Sequence, residues 1–267
     1  MHKVDLYDNA YGNFASNLYR EIREQTYGHD LGQTSWVTRE ESEGIPHLLG
    51  LTAGSKVLEI GCGCGKYAIH LAGTIGCEVL GLDVNAHGVE TANQLARSGE
   101  ADSLVRFQQG DASQPLPFED GAFDAAFAND VLCHIPGRLS VFTEILRVLR
   151  PGGRLLFSDA LVIAGIVSQE EIARRSSIGY YLFSPQGENE RLLARAGFQL
   201  LSAADTSANA AAIAQRWHDG RQERSAGLMA IEGENNFQGV QQFLAAVSTL
   251  CAEGRLRRYL YVARKEA

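Results

Sequence analysis

No apolar stretch in this 267-residue chain approaches the roughly 18 residues that a membrane-spanning helix requires, so no such helix is expected. Basic residues are in deficit: 24 Lys and Arg stand against 32 Asp and Glu, a net charge of -8. That balance argues against general nucleic-acid binding, whose footprint is a basic patch, while leaving a local basic groove open. The five cysteines are an odd number and none has Cys-x-x-Cys spacing, so neither a disulfide framework nor a zinc site is expected. His2, His29, His47, His70, His87 and His218 form no metal-ligand pattern either. The polar Met1 to Ala10 stretch lacks the apolar centre of a secretion signal, and with the cysteine count it points to a reduced, cytoplasmic compartment. There is no internal repeat and no low-complexity tract. What is present is 45% hydrophobic residues, enough for a sizeable core and too many for a disordered chain.

The chain divides into three zones. Residues 1–50 are polar and aromatic, with a helix expected through Asn13 to Gln25. Residues 51–161 alternate strand and helix patterns: strands at Lys56 to Ile60, Glu78 to Asp83, Val105 to Gln109, Phe123 to Ala128 and Arg154 to Ser158. Asn85 is placed to cap a helix reaching Arg97, and Pro151-Gly152-Gly153 to stop another that spans Leu139 to Leu149. Such alternation implies a parallel sheet with right-handed crossovers. Residues 162–267 begin with a helical stretch and then carry two strand-like runs, Phe198 to Leu201 and Arg258 to Val262. Between these runs, about 208–254, helix-forming segments read as an insertion that caps a substrate pocket, with a dimer face as the rival reading.

The first strand runs into Gly61-Cys62-Gly63-Cys64-Gly65. A glycine turn between a strand and a helix lets backbone approach a ligand and points helix amides at it. The second strand ends in Asp83, where an acid can accept from both ribose hydroxyls. Together these features indicate an adenosine-containing cofactor, with NAD as one candidate.

The stretches Val57 to Gly65, Gly81-Leu82-Asp83, Gly110-Asp111-Ala112, Leu116-Pro117-Phe118 with Phe123-Asp124, and Arg147 to Gly153 resemble, in order, the class I S-adenosylmethionine-dependent methyltransferases. The resemblance implies a Rossmann-like, seven-stranded, mostly parallel α/β sheet with helices on both faces. It implies that Gly61, Gly63 and Gly65 pass under the methionine part, and that Glu59 stands near its amino group. Asp83 would hold the ribose, Asp111 the adenine amino group with Ala112 beside the ring, and the Asn129 carbonyl the ammonium. The family's base-amide methylating members carry an Asn/Asp-Pro-Pro-Tyr/Phe motif after the fourth strand; Asn129-Asp130-Val131-Leu132 replaces it here.

Asp130 and His134 lie four apart after the fourth strand. One helical turn would put both on one side, facing the crevice at the strand ends, with His134 as a general base. This Asp-x-x-x-His spacing resembles that of the phosphoethanolamine methyltransferases within the sarcosine/dimethylglycine group. That group closes an N-terminal segment rich in Tyr, Gly, Ser and Trp over the cofactor. Tyr27 to Trp36 resembles it, which makes 1–50 a helical lid with Trp36 against the cofactor. Tyr11 is the tyrosine expected to join catalysis; Tyr27, Tyr181 and Arg255 are the substrate-side candidates, with Arg174 and Arg175 as further cations after the fifth strand. Cys133 beside His134 keeps arsenic chemistry open.

The resulting expectation is methyl transfer from S-adenosylmethionine, leaving S-adenosylhomocysteine, to a nitrogen or oxygen of a small-molecule acceptor, with an amine slightly favoured. A monomer or homodimer is expected. RNA or protein acceptors, a non-methylating cyclase and a non-catalytic cofactor-binding protein are the rivals.

Overall fold

The computed structural model describes residues 4–99 and 102–266. The N-terminal zone contains helices α1 (Tyr7–Gly12), α2 (Asn17–Tyr27) and α3 (Arg39–Leu49). The helix expected from Asn13 therefore starts at Asn17, and a separate short helix precedes it. In α3, Thr38 accepts from the Glu41 amide while the Glu41 carboxylate accepts from the Thr38 amide, a capping box that also fixes where Glu41 points.

The middle zone follows the expected alternation: β1 (Lys56–Ile60), α4 (Lys66–Ile75), β2 (Glu78–Asp83), α5 (Ala86–Arg97), β3 (Val105–Gln109), β4 (Phe123–Ala128), α6 (Arg138–Val148) and β5 (Leu149–Ile163). Between β4 and α6 the chain makes a single 3-10 turn, Leu132–His134. The remainder holds α7 (Gln169–Arg175), β6 (Ser184–Pro185), α8 (Glu188–Ala196), β7 (Phe198–Asp205), α9 (Ser207–Glu223), α10 (Ser225–Glu232), α11 (Glu234–Ala252) and β8 (Leu256–Lys265).

The strands pair in the order β3-β2-β1-β4-β5-β8-β7, with β8 antiparallel to both neighbours. An eighth strand, the two-residue β6, pairs with the far end of β5. It exists because β5 is longer than Arg154 to Ser158. The strand starts at Leu149, opposite Phe123, and bulges past Pro151-Gly152-Gly153. It then continues through Ala160, Leu161 and Val162, all buried, where a helical stretch was expected to begin.

Side chains alternate across β1. Val57 packs with α3, α4 and α5, whereas Leu58 and Ile60 pack with α6 and α8. A third core joins Leu6, Tyr19, Ile22 and Trp36 to Ala210, Ile213, Trp217, Phe243 and Val247. The helices between β7 and β8 therefore clasp the N-terminal segment from behind.

Gly81, in the middle of β2, lets the glycine turn lie flat on the sheet. A Cβ there would stand 2.6 Å from the Phe107 ring and 2.8 Å from the Cys62 Cβ. Gly81→Ala is expected to lower stability by ~1–3 kcal/mol through overpacking. Urea unfolding of the two proteins measures this, and an unchanged midpoint would refute it.

Candidate functional site

A cleft of about 480 Å³ opens at the carboxyl ends of β1, β2 and β4, the place where open α/β sheets bind ligands. Its floor is the turn after β1. Gly61 and Gly63 adopt φ of 76° and 52°, in the left-handed region. A Cβ on Gly61 would fall 2.2 Å from Val131, and one on Gly63 would fall 3.0 Å from the Tyr11 hydroxyl. Gly65 starts α4 with φ 71° but does not line the cleft; its missing side chain makes room for Phe107 and Ala92. It shapes the turn from beneath.

Glu59, the fourth residue of β1, is buried at the cleft wall, and its Oε2 has no hydrogen-bond partner. Burial, reinforced by Asp83, pushes its carboxyl well above the ordinary range. Asn129 Oδ1 is a second buried acceptor without a partner on the same cleft. Two orphaned acceptors beside a glycine cradle suit a ligand cation that donates hydrogen bonds. At the end of β2, Asp83 accepts from the Gly63 amide (2.8 Å) and the Asn85 amide (2.8 Å), while its side chain still reaches the cleft. Burial raises its pKa, and those amides oppose the rise. Asp111 and Ala112 line the next part of the wall; Asp111 accepts from the Ser113 amide at 2.8 Å. The donor set therefore fits an adenosine cofactor that carries an ammonium.

The other end of the cleft departs from expectation. Asp130 has φ 57°, the positive value borne by no other non-glycine among the described residues. Its amide donates to Ser158 Oγ (2.9 Å). Its carboxylate accepts from the Trp36 amide (2.9 Å) through Oδ2 and from Arg258 Nε (2.8 Å) through Oδ1. Arg258 is fully buried and also donates to both carboxylate oxygens of Glu41, at 2.8 and 3.0 Å, and to Thr206. Asp130 reaches the cleft wall with its charge already paired. It does not share a helical face with His134, because the chain between them makes a 3-10 turn.

His134 does face the cleft. Its Nδ1 lies 3.0 Å from the Tyr180 carbonyl and its Nε2 lies 3.0 Å from the Tyr7 hydroxyl. Burial depresses its pKa to about 4, so the ring is neutral at pH 7. A carbonyl only accepts, so the one proton of the neutral ring sits on Nδ1 and Nε2 accepts from Tyr7. Tyr7 was missed in the sequence reading. The available signal was its i, i+4 spacing with Tyr11, which places both rings on one side of α1. Tyr11 also lines the cleft, with its hydroxyl 3.2 Å from Thr34 Oγ1.

The remaining candidates stand back from the cleft. Trp36 offers its amide to Asp130, and its ring packs on Trp217 and Phe243. Tyr27 donates to the Ser35 carbonyl (2.8 Å) and so braces the Leu31 to Ser35 wall. Tyr181 lies behind His134, ring centroids 4.2 Å apart. Arg255 pairs with Glu171 and Glu253 at the surface, which withdraws it from the substrate side. The insertion expected to cap the pocket contributes no lining residue among those described, because α9 and α11 are occupied in supporting the N-terminal segment. Cys133 is buried with its thiol pushed up by burial and directed at the Asp130 carbonyl, which removes the thiolate that arsenic chemistry requires. Among the described residues no His, Cys, Asp and Glu cluster could hold a metal ion; His2 lies outside them.

A buried neutral histidine has a thermodynamic consequence. Between pH 6.5 and about 4 the unfolded chain binds a proton at His134 that the folded chain refuses, so its contribution is complete above pH 6.5 and is lost as pH falls toward 4. His134→Asn is expected to weaken the acid destabilisation in this window. Thermal unfolding of both proteins at pH 7 and pH 5 measures it; equal losses would show that the ring protonates in the folded state.

Residues 58–157 match the methyltransferase domain family. The 27-O-demethylrifamycin SV methyltransferase of Amycolatopsis mediterranei is 33% identical over 203 residues, covering 72% of this chain and 74% of that protein. The O-methyltransferase rstn1 of Aspergillus nomiae is 34% identical over 173 residues, covering 64% and 75%. Among solved structures, phosphoethanolamine N-methyltransferase 2 of Haemonchus contortus with S-adenosyl-L-methionine superposes with TM-score 0.79 at 20% identity, over 97% of this chain and 60% of that one. The cyclase SpnF superposes with TM-score 0.75 at 23% identity over 99% and 98%. At such identities the structural likenesses establish the fold alone. With the glycine cradle, the orphaned acceptors and the relatives' similarity in hand, the chain belongs to the class I S-adenosylmethionine-dependent methyltransferases that act on small molecules.

Proposed function

We propose that the protein methylates a hydroxyl oxygen of a largely apolar small molecule. One observation carries this choice of oxygen over nitrogen: Asp130, the only carboxylate at the acceptor end among the described residues, has one oxygen engaged by Arg258 and the other by the Trp36 amide. Each of its oxygens already has a donor with which an ammonium would have to compete, and Arg258 divides its charge between Asp130 and Glu41. The neighbouring wall is apolar and aromatic, with Val131, Ile135, Ile178 and the rings of Tyr7 and Tyr180. The likeness to enzymes named as O-methyltransferases supports the same reading.

When bound, the cofactor supplies an electrophilic methyl group on a sulfonium. Glu59 and Asn129 hold its ammonium, Asp83 its ribose, and Asp111 with Ala112 its adenine. Burial pushes the Glu59 carboxyl above its ordinary range, and an ammonium at Oε2 would favour its ionised form. Tyr11 and the Leu31 to Ser35 segment close the wall over the turn and exclude water. An acceptor hydroxyl donates to the Tyr7 oxygen, and Tyr7 passes its own proton to His134 Nε2. The net result is deprotonation of the acceptor as it is methylated. Because His134 titrates near 4, the base is available throughout the neutral range, and activity falls only on the acidic side.

His134→Ala is expected to cut kcat by ~10²–10⁴-fold, the usual scale for a lost general base, with cofactor affinity by calorimetry unchanged. The assay follows labelled methyl from S-adenosylmethionine into matched hydroxyl and amine acceptors. Label in the hydroxyl member, lost in the variant, supports the reading. Label in the amine member, or a normal rate in the variant, overturns it. Cofactor binding with no transfer to any acceptor points instead to a non-methylating cyclase.

A further inference from the structure

A proline inside a helix removes one backbone donor, and α3 contains one at Pro46. The amide missing there is the one that would serve the carbonyl four residues earlier, on Ser42. Ser42 is buried, so water cannot readily take the place of that donor. The Tyr67 hydroxyl does so instead. It projects from the first turn of α4 and donates to the Ser42 carbonyl at 2.8 Å.

Tyr67 and Ser42 both line the cleft, and strand register sets their place in it. Glu59 on β1 pairs in register with Phe127 on β4. Glu59 shares the sheet face of Val57, which packs in the same core as Phe127. Asn129 follows two residues beyond Phe127 and lines the same cleft. The Tyr67 ring meets Phe127 edge-on, with centroids 5.7 Å apart. Phe127 is therefore flanked by the two orphaned acceptors, Glu59 Oε2 and Asn129 Oδ1, and covered by Tyr67. A phenol has one proton. With that proton given to the Ser42 carbonyl, the Tyr67 oxygen can only accept on the cleft side. Burial and the Glu59 carboxyl keep the hydroxyl protonated, so the bond to Ser42 keeps its donor. An amide at position 46 would serve the Ser42 carbonyl and leave the Tyr67 proton free to turn into the cleft. Among the described residues no Lys or Arg lines the cleft, so no cation of the chain occupies these oxygens.

We propose that Tyr67 is a third acceptor for the cofactor's ammonium, beside Glu59 and Asn129, and that Pro46 is the positioning residue that makes it one by leaving the Ser42 carbonyl to take its proton. The three N–H bonds of a primary ammonium then meet three oxygens. The inference rests on the reading that Glu59 and Asn129 hold that ammonium. It extends the cofactor site to α3 and gives the interior proline a function at the cleft. The direction of a single phenol proton decides whether Tyr67 welcomes the cation or opposes it.

Calorimetry on the full-length chain tests this with two ligands, S-adenosylhomocysteine and its deamino analogue, in which hydrogen replaces the ammonium. Tyr67→Phe should bind S-adenosylhomocysteine roughly tenfold more weakly, the scale of one hydrogen bond to a charged group, and bind the deamino analogue as the wild type does. Pro46→Ala supplies the Ser42 carbonyl with a helix donor, and the same selective loss is expected. In the double variant the second substitution should add nothing, because without the phenol proton Pro46 has nothing to direct. Equal losses for the two ligands would make Tyr67 a packing residue and overturn the proposal. Additive losses in the double variant would also overturn it, as would a Pro46→Ala protein that binds both ligands like the wild type. If Tyr67→Phe fails to fold, Pro46→Ala still decides, since it adds a hydrogen bond to α3. Glu59→Gln separates the two readings. Unchanged binding of S-adenosylhomocysteine there would overturn the ammonium site itself, whereas a selective loss there with none in Tyr67→Phe would overturn the role of Tyr67 alone.

Discussion

The Asp130 carboxylate holds three distant parts of the chain at one point. It receives the Trp36 amide from the N-terminal segment and Arg258 from the last strand, while its own backbone continues β4 into the cleft. Arg258 carries the connection on to Glu41, whose direction is set by the capping box of α3, and to Thr206 before α9. Removing one partner from such a buried pair typically costs ~3–5 kcal/mol, because the other charge is left without compensation. The strained φ of Asp130 persists because these contacts over-determine it. The Leu31 to Ser35 wall stands where it does because its neighbour Trp36 is pinned there.

Spending that carboxylate on structure sets the character of the site. A free aspartate at this point would attract an ammonium; a paired one leaves tyrosines, apolar side chains and a neutral imidazole. Charge is instead concentrated at the other end, where Glu59, Asp83 and Asp111 face the turn after β1. On the proposed reading the cleft is divided: acids would serve the cationic cofactor, and the chamber of tyrosines, apolar side chains and neutral imidazole would receive the acceptor. His134 lies in the second half, and its burial there keeps it unprotonated at neutral pH.

How legible this was depended on the range of the interactions. The glycine turn, Asp83 and the order of the first five strands could be read because a few adjacent residues dictate each of them. Glu59 and Asn129 could be placed by their position at strand ends. The partners of His134 and Asp130 could not, since Tyr7 precedes His134 by 127 residues and Arg258 follows Asp130 by 128. Asp130 resembled a catalytic acid in its spacing, and only the fold supplied the arginine that engages it together with Glu41. The helices between β7 and β8 were recognisable as helices, but their amphipathic faces did not say whether they met a ligand or α2. The extension of β5 past Pro151-Gly152-Gly153 was hidden because a bulge lets a strand accommodate residues that stop a helix.

The central claim is that the paired Asp130 recognises no cation, so that the acceptor half of the cleft prefers a neutral ligand. Calorimetry on the protein saturated with S-adenosylhomocysteine, using a naphthol and the naphthylmethylammonium of matching skeleton, tests it most directly. The account predicts that the neutral naphthol binds at least about tenfold more tightly, a difference near 1.4 kcal/mol. Tighter binding of the ammonium would contradict it.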